Sequence, residues 1–265
     1  MHTAEFFATH PVFSLDEATA ALAPPSGRRG TVQRLRHHLA SGRVARASRG
    51  VYAVVPPGAT AAGFEPDPIL VAAAARPDAI FAYHSALELL GVGHSTWAHA
   101  SVFTARRREP ILVGSSRISF YGDPPALATC LGRAFATRRV ERRGRLLAVT
   151  GPERTVVEGL RRPPLVGGVE ELLLSASAMP TLDPGLLHEL LQQYDTARLW
   201  AATGWLLERL QHTWSVPDAF LDLLESQRPA AALYLQRNQR GGRLEQRWNL
   251  VVPEVAYHMS AADER

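Results

Sequence analysis

Between Glu17 and Glu65 the chain carries no carboxylate, and inside that gap an arginine-rich helical pattern runs straight into an arginine-bearing hairpin pattern. Val32, Leu35 and Leu39 fall at i, i+3 and i+7, which places them on one apolar face of a helix over 27–41. Gln33, Arg34 and His37 fall on the opposite face. Ser26 is the expected N-cap and Gly42 the expected stop, giving a helix long enough to lie in a major groove. Arg28, Arg29 and Thr31 occupy the first turn, where a recognition helix meets base edges or phosphates. After Gly42 the period changes. Residues 44–47 read as a short strand, Ser48-Arg49-Gly50 as a tight turn, and 51–54 as the return strand before Pro56-Pro57. Upstream, Ser14 is an N-cap with Glu17 as its capping-box partner. Leu15, Ala18 and Leu22 would pack that helix on the helix over 27–41. A helix, a hairpin of wing length directly after it, and single-sign charge on both predict a winged helix that sits on DNA. The alternative is a small basic helix and hairpin whose arginines are merely solvated.

At 265 residues and 46% hydrophobic, the chain can bury a sizeable core and is expected to divide once. No run approaches 18 apolar residues, and the first residues lack the basic and apolar regions of a signal peptide. A cytoplasmic protein without a membrane segment is therefore expected. The one cysteine, Cys130, excludes an intrachain disulfide framework and an all-cysteine metal site; it reads as a small buried hydrophobe. Every Lys/Arg position is arginine, which excludes a phosphate-loop lysine, a Schiff-base lysine and a Ser-Lys dyad. The net charge of +4 is unevenly spread. Residues 1–60 carry seven arginines against three carboxylates, residues 61–162 fourteen against nine, and residues 163–265 eight against thirteen. The basic two-thirds and the acidic last third are expected to meet different partners.

Pro56-Pro57-Gly58 and the residues to Gly63, followed by Pro66 and Pro68, read as a linker. The expected organisation is a winged-helix domain over 1–58, a linker over 59–67 and a C-terminal domain over 68–265. In that domain helices are predicted over 69–75 and 85–90, then strands over 100–105, 117–121, 137–140 and 146–149, with Arg143-Gly144 as a turn. Helices over 153–161, 169–176, 184–194, 197–210 and 217–225 come next, and short strands near 232–235 and 247–251. Strands followed by helices predict an α+β fold class, an N-terminal winged helix-turn-helix and then a helix-rich mixed α+β domain, not a parallel βαβ sheet.

Constellations that carry catalysis are missing, so no enzyme, catalytic residue, cofactor or metal is expected. Gly91-Val92-Gly93 has Thr96 where a dinucleotide loop needs its third glycine. His94 and His99 lack a zinc-binding spacing. His84 and Glu88 stand at i, i+4, where a local bond or cap is the ordinary role. Ser115-Ser116 lacks the second glycine of a nucleophile elbow. Glu153 after Pro152 suits a helix N-terminus, where a carboxylate complements the dipole. Arg138, Arg139, Arg142, Arg143 and Arg145 fall on a hairpin that reads first as a solvated edge and second as a phosphate-contacting or RNA-facing surface.

The stretch Val32-Gln33-Arg34-Leu35-Arg36 through Arg46-Ala47-Ser48-Arg49-Gly50-Val51-Tyr52 resembles the winged-helix domain of the AbiEi family of antitoxins. Tyr83-His84-Ser85-Ala86-Leu87-Glu88-Leu89-Leu90-Gly91 is similar to the helix that opens that family's second domain. Glu153-Arg154-Thr155, Arg162-Pro163 and Gly167-Gly168-Val169-Glu170-Glu171 resemble its ERT, RP and GG(I/V)EE elements in order. Gly204-Trp205-Leu206-Leu207-Glu208 and Arg247-Trp248-Asn249-Leu250-Val251-Val252-Pro253 are similar to its closing elements. Two departures stand out: Glu158 where an Asp is more usual, and Ala201-Ala202-Thr203 in place of a basic stretch.

The resemblance implies a bacterial type IV toxin–antitoxin or abortive-infection antitoxin that represses its own operon. Its winged helix would bind double-stranded operator DNA, and its C-terminal domain would neutralise a nucleotidyltransferase toxin without needing a stable complex. The DNA-contacting residues would be Arg28, Arg29, Thr31, Gln33, Arg34 and His37 in the groove, with Arg46 and Arg49 of the wing on phosphates or a minor groove. Arg138, Arg139, Arg142 and Arg143 would be the candidate antitoxin surface. A stand-alone winged-helix regulator without a toxin is the alternative, and a nuclease using Glu88 or Glu153 is a third reading. Binding as a monomer and cooperative binding at inverted repeats are both open.

Overall fold

The computed structural model describes residues 2–106, 108–128 and 132–261; Cys130 lies outside them. The N-terminal elements are α1 (Thr3–Thr9), β1 (Val12–Ser14), α2 (Leu15–Leu22), α3 (Gly27–Ala40), β2 (Val44–Ser48) and β3 (Val51–Val54). Next come α4 (Pro68–Ala75), β4 (Ile80–Phe81), α5 (His84–Leu89), β5 (His99–Thr104), β6 (Ile111–Val113), β7 (Ser116–Gly122) and α6 (Pro125–Ala128). The hairpin β8 (Thr137–Arg142) and β9 (Arg145–Thr150) leads to α7 (Pro152–Arg161), α8 (Val169–Ser177), α9 (Pro184–Tyr194) and α10 (Ala197–Arg209). The chain closes with α11 (Gln211–Trp214), α12 (Asp218–Ser226), β10 (Leu233–Tyr234), β11 (Arg243–Glu245) and β12 (Leu250–Val252). This is the expected α+β class, with a winged helix at its start.

Two compact units form. The first holds residues 1–81, 97–122 and 139–148, the second residues 82–96, 123–138 and 149–265. The boundary is thus not the expected linker at 59–67, and α4 gives the reason. Its sequence is apolar all round, and Ile69, Leu70, Val71, Ala72, Ala73 and Ala74 are all buried. A helix without a polar face must be covered on every side. It packs on β1 and β3 of the winged helix and on β5 and β7 of the larger sheet, so residues 1–58 share their unit with α4, β5 and β7. Asp67 caps it through Ile69 and Leu70, and Pro68 occupies its first turn.

In the first unit, α1–β1–α2–α3–β2–β3 is the winged-helix order, with strands arranged β1-β3-β2 and both pairings antiparallel. Its core is Phe6, Phe7, Phe13, Leu15, Ala18, Leu22, Leu35, Val44 and Tyr52, with Val32 and Leu39 packed against it. Leu15, Ala18 and Leu22 therefore face α3 as expected. The capping box also forms: Ser14 Oγ accepts from Glu17 N at 3.1 Å, and Ser14 N donates to Glu17 Oε2 at 2.7 Å. The first helix and first strand escape the sequence pattern because α1 is only seven residues long. Phe6 and Phe13 nevertheless meet edge to face at 4.9 Å.

The six-stranded sheet has the order β6-β7-β5-β4-β9-β8. It is mixed: β5 and β7 run parallel, from His99↔Arg117 to Thr104↔Gly122, with a strand and no helix between them, so the pair is not a βαβ unit. The cause is β6, which pairs antiparallel with β7 and uses up one reversal of the chain.

The second unit is built around α7, every residue of which from Pro152 to Leu160 is buried. It packs on α8, α9 and α10. A small sheet, β10-β12-β11, closes the chain by seating Trp248 where Gly204 of α10 has no side chain; a Cβ there would overlap the indole ring. Trp248 Nε1 donates to Glu208 at 2.7 Å, while Arg247 holds Glu208, Glu225 and Asp222.

Candidate nucleic-acid interface

The helix α3 exposes a stripe whose spacing is set by its buried side. Thr31 and Leu35 are buried, with Val32 and Leu39 half-buried, so the opposite face carries residues near His37 at 3.6 residues per turn. Arg29, Gln33, Arg34, Arg36 and His37 are all exposed. Among the described residues, Arg29, Arg34 and Arg36 make no ion pair or hydrogen bond. Arg36 belongs to this stripe as much as Gln33 does. Its position i+7 from Arg29 was the readable signal.

Three expected contacts change. Thr31 is fully buried and its hydroxyl donates to Gly27 O at 3.3 Å, so it belongs to the core and cannot touch DNA. Arg28, seven residues before Leu35, lies on the core azimuth and pairs with exposed Asp16. Ser26 makes no side-chain cap; Gly27, with φ +54°, turns the chain instead. Gly42, with φ +69°, does end the helix as expected.

The wing is short and fastened. Gly50 takes φ +77° in the turn, and its carbonyl accepts from Leu15 N at 2.8 Å. This holds the tip on the start of α2. A bulge between Arg46 and Ser48 twists the flank, and both Arg46 and Arg49 are exposed. Arg49 and Arg28 line one cleft of about 520 Å³ with Asp16 and Arg108. Arg43, beyond the helix, lies over Phe7 at 5.5 Å and is exposed. His38, edge-on to Phe7 at 4.9 Å, is held below the ordinary imidazole value by burial, then by Arg43 and His37. The arginine face is open to solvent, and beside it burial and neighbouring charge disfavour the protonated form of His38.

The second arginine cluster divides. Arg142 is committed, donating through Nε to buried Asp67 at 2.7 Å. Arg145 donates to Glu17 Oε1 at 2.5 Å, to Ala73 O and to Val12 O. Arg142 thus holds the hairpin to the cap of α4, and Arg145 holds it to the winged helix and α4, inside the first unit. Arg142 is thereby removed from the candidate antitoxin surface, and only Arg138, Arg139 and Arg143 stay exposed.

In the second unit, the ERT segment forms a buried charged network and not an open site. Glu158, fully buried, accepts from Arg161 Nε at 2.9 Å and from the Tyr194 hydroxyl. Arg154, also fully buried, donates to Arg133 O and Phe135 O at 2.8 Å each. Glu153 accepts from Asp183 N at 3.0 Å. Tyr83, at φ +57°, accepts from Arg161 Nη2 on its hydroxyl at 3.4 Å; burial and then Glu158 push its phenol up to about 12. His84 stands 3.5 Å from Glu171, whose carboxylate accepts from Ser95 and Ser175. Burial holds His84 below its ordinary value against the pull of Glu171, so it serves as a neutral core group. Among the described residues no cluster of three His, Cys, Asp or Glu could hold a metal ion, and no helix is long and apolar enough to cross a membrane.

No protein-family model and no curated protein sequence matches the chain. Among solved structures it is similar to the RV2827C protein from Mycobacterium tuberculosis, with a TM-score of 0.65 and 18% sequence identity. The match covers 98% of this chain and 93% of that one. At that identity the likeness shows the fold, extending over both units.

Proposed function

We propose that the chain is an AbiEi-like antitoxin that binds its own promoter DNA through the winged helix and neutralises a nucleotidyltransferase toxin through its C-terminal part. The observation that carries the DNA-binding half is the outer stripe of α3. Arg29, Arg34 and Arg36 stand there without a carboxylate partner, on a helix whose opposite face is core. Solvated arginines on a helix can neutralise backbone phosphates while the helix enters a major groove. In this reading Arg29, Gln33, Arg34 and His37 meet the groove, and Arg36 at its flank meets phosphate. Arg46 and Arg43 hold the flanking backbone, and Arg49 contributes from the fastened tip. The antitoxin half is supported by the order of the motifs along the chain.

The test is fluorescence anisotropy of the full chain with its upstream duplex and with a scrambled duplex, titrated across salt. The expected result is preference for the upstream duplex with a salt slope of several phosphate contacts. Equal, weak binding to both would remove the DNA-binding half. Co-expression with a nucleotidyltransferase encoded beside this gene tests the other half: such a frame and rescue of growth are expected, and absence of the frame or of rescue would remove it.

A further inference from the structure

The three-stranded sheet of the second unit turns an apolar row outward. Leu250 and Val252 of β12 are buried, as is Leu235 just after β10, so strand alternation sends Val251 to the opposite face. Val251 pairs with Tyr234 of β10 on one side and with Leu244 of β11 on the other. The three side chains therefore stand in one line across the sheet, on strands about 4.8 Å apart. Tyr234 is 48% exposed and Leu244 46%. Arg243 and Glu245, on either side of Leu244 in β11, point the other way, where both engage Tyr257: Arg243 lies over its ring at 5.2 Å and Glu245 accepts from its hydroxyl. The sheet's one carboxylate is thus kept off the outer row.

Unpaired arginine borders that row. Between Glu225 and Glu245 the chain carries four arginines and no carboxylate, although the last third is acidic as a whole. Because β12 lies between β10 and β11, the connection over 236–242 has to cross the end of β12. Gln239 fastens it there: Nε2 donates to Val251 O at 3.2 Å and to Gly241 O at 2.9 Å, and Oε1 accepts from Gln236 N at 3.3 Å. Gly242 runs so close that a Cβ would overlap Val252 O. Arg237 and Arg240, two residues before Gln239 and one after it, are thereby held at the margin of the row whose centre is Val251. Both are exposed and make no hydrogen bond or ion pair among the described residues. Glu254, exposed after β12, is the one carboxylate close in sequence at that end, which leaves positive charge in excess.

A ligand that fits must bring flat apolar faces and spaced anions together. Single-stranded nucleic acid does so, its bases stacking on aromatic side chains while arginines follow the phosphates. A duplex keeps its bases stacked on one another, away from such a face. Unpaired bases are a standing feature of RNA loops, bulges and ends, which favours RNA. We propose that the outer face of the β10-β12-β11 sheet is a docking surface for single-stranded RNA. A base stacks on Tyr234, its neighbour or sugar rests on Val251 and Leu244, and Arg237 and Arg240 hold phosphates. The surface lies wholly in the second unit and does not rest on the operator-binding reading.

Fluorescence anisotropy of the full chain with a labelled single-stranded RNA of about 12 nucleotides, and with DNA of the same sequence, tests this. Saturable, salt-sensitive RNA binding is expected, at least as tight as that of the DNA strand. Tyr234→Ala should lose roughly tenfold in affinity, whereas Tyr234→Phe, which keeps the ring, should retain it. Arg237→Ala combined with Arg240→Ala should weaken binding and lower the salt slope by about 1.4. None of these side chains makes a hydrogen bond among the described residues, and circular dichroism checks that each variant folds. Arg34→Ala should leave RNA binding unchanged, which separates this surface from α3. Absence of saturable RNA binding, a clear preference for the DNA strand, or unchanged affinity in both Tyr234→Ala and the double arginine variant would overturn the proposal. So would a loss in Arg34→Ala as large as that in Tyr234→Ala. Failure of Tyr234→Ala to rescue growth, with no RNA binding by the unaltered chain, would overturn it in favour of a protein partner.

Discussion

The helices α3 and α7 use the same residue in opposite ways. In α3 the arginines on the outer face, Arg29, Arg34 and Arg36, are solvated and lack carboxylate partners. In α7, Arg154 is fully buried and Arg161 is tied to Glu158. An exposed guanidinium costs the fold nothing and is available to a ligand; a buried one must be compensated or the fold fails. Charge density in a sequence therefore marks a binding surface only after burial is known. Both segments are equally conspicuous as arginine-bearing motifs, and only α3 turns them outward.

The largest effect that could break this contrast lies in α7. Glu158→Ala strands the Arg161 charge beside buried Arg154, and removing one partner of a buried pair costs about 3–5 kcal/mol. Urea unfolding of the second unit should show that loss while operator affinity stays near wild type. If DNA binding collapses along with it, the two helices are not independent in function.

The same network has a pH signature. Tyr83 is held up to about 12 in the folded chain against an ordinary 10. A group raised on folding contributes stability that is fully present below its unfolded value and lost as pH rises through its folded value. Thermal stability should fall between about pH 10 and 12, and Tyr83→Phe should flatten that fall.

On α3 the expectation is reversed, with binding lost and stability kept. Arg34→Ala should cost about 1–3 kcal/mol of discrimination if it pairs a guanine, while Arg36→Ala, acting on phosphate, should weaken all duplexes alike and reduce the salt slope by about 1. Tm should move little in either. A Tm drop comparable to that of Glu158→Ala would mean that these side chains are structural after all.

How much of this could be read from residues alone differs between the two helices for a physical reason. The apolar period of Val32, Leu35 and Leu39 fixed the orientation of α3, and the Ser14–Glu17 box fixed the start of α2, because both are local. Thr31 was misplaced because a threonine at a helix start is equally suited to solvent or core; its neighbour Leu35, one turn on, decides it. The place of α4 was hidden by its own proline-rich approach, which looks like a linker, although its fully apolar sequence already demanded cover on all sides. The charged network of α7 was unreadable in sequence because Tyr83, Glu158 and Tyr194 are brought together only by the fold. The parallel β5–β7 pair was hidden by β6, three residues long.

Arg28 gives the smallest and sharpest comparison, because it belongs to α3 by sequence but behaves in neither way. It is exposed like Arg29, yet it is paired, with Asp16, on a side chain that is itself 78% exposed. An exposed pair of this kind contributes under about 1 kcal/mol and is screened by salt, so Arg28→Ala should leave Tm almost unchanged. Its effect on DNA distinguishes partner from position. If Asp16 neutralises it, Arg28→Ala should weaken operator binding less than Arg36→Ala does, and Asp16→Asn should tighten binding by freeing the guanidinium. An Arg28→Ala defect as large as that of Arg36→Ala, with no gain in Asp16→Asn, would place the first turn of α3 in the groove and return Arg28 to the DNA-reading set.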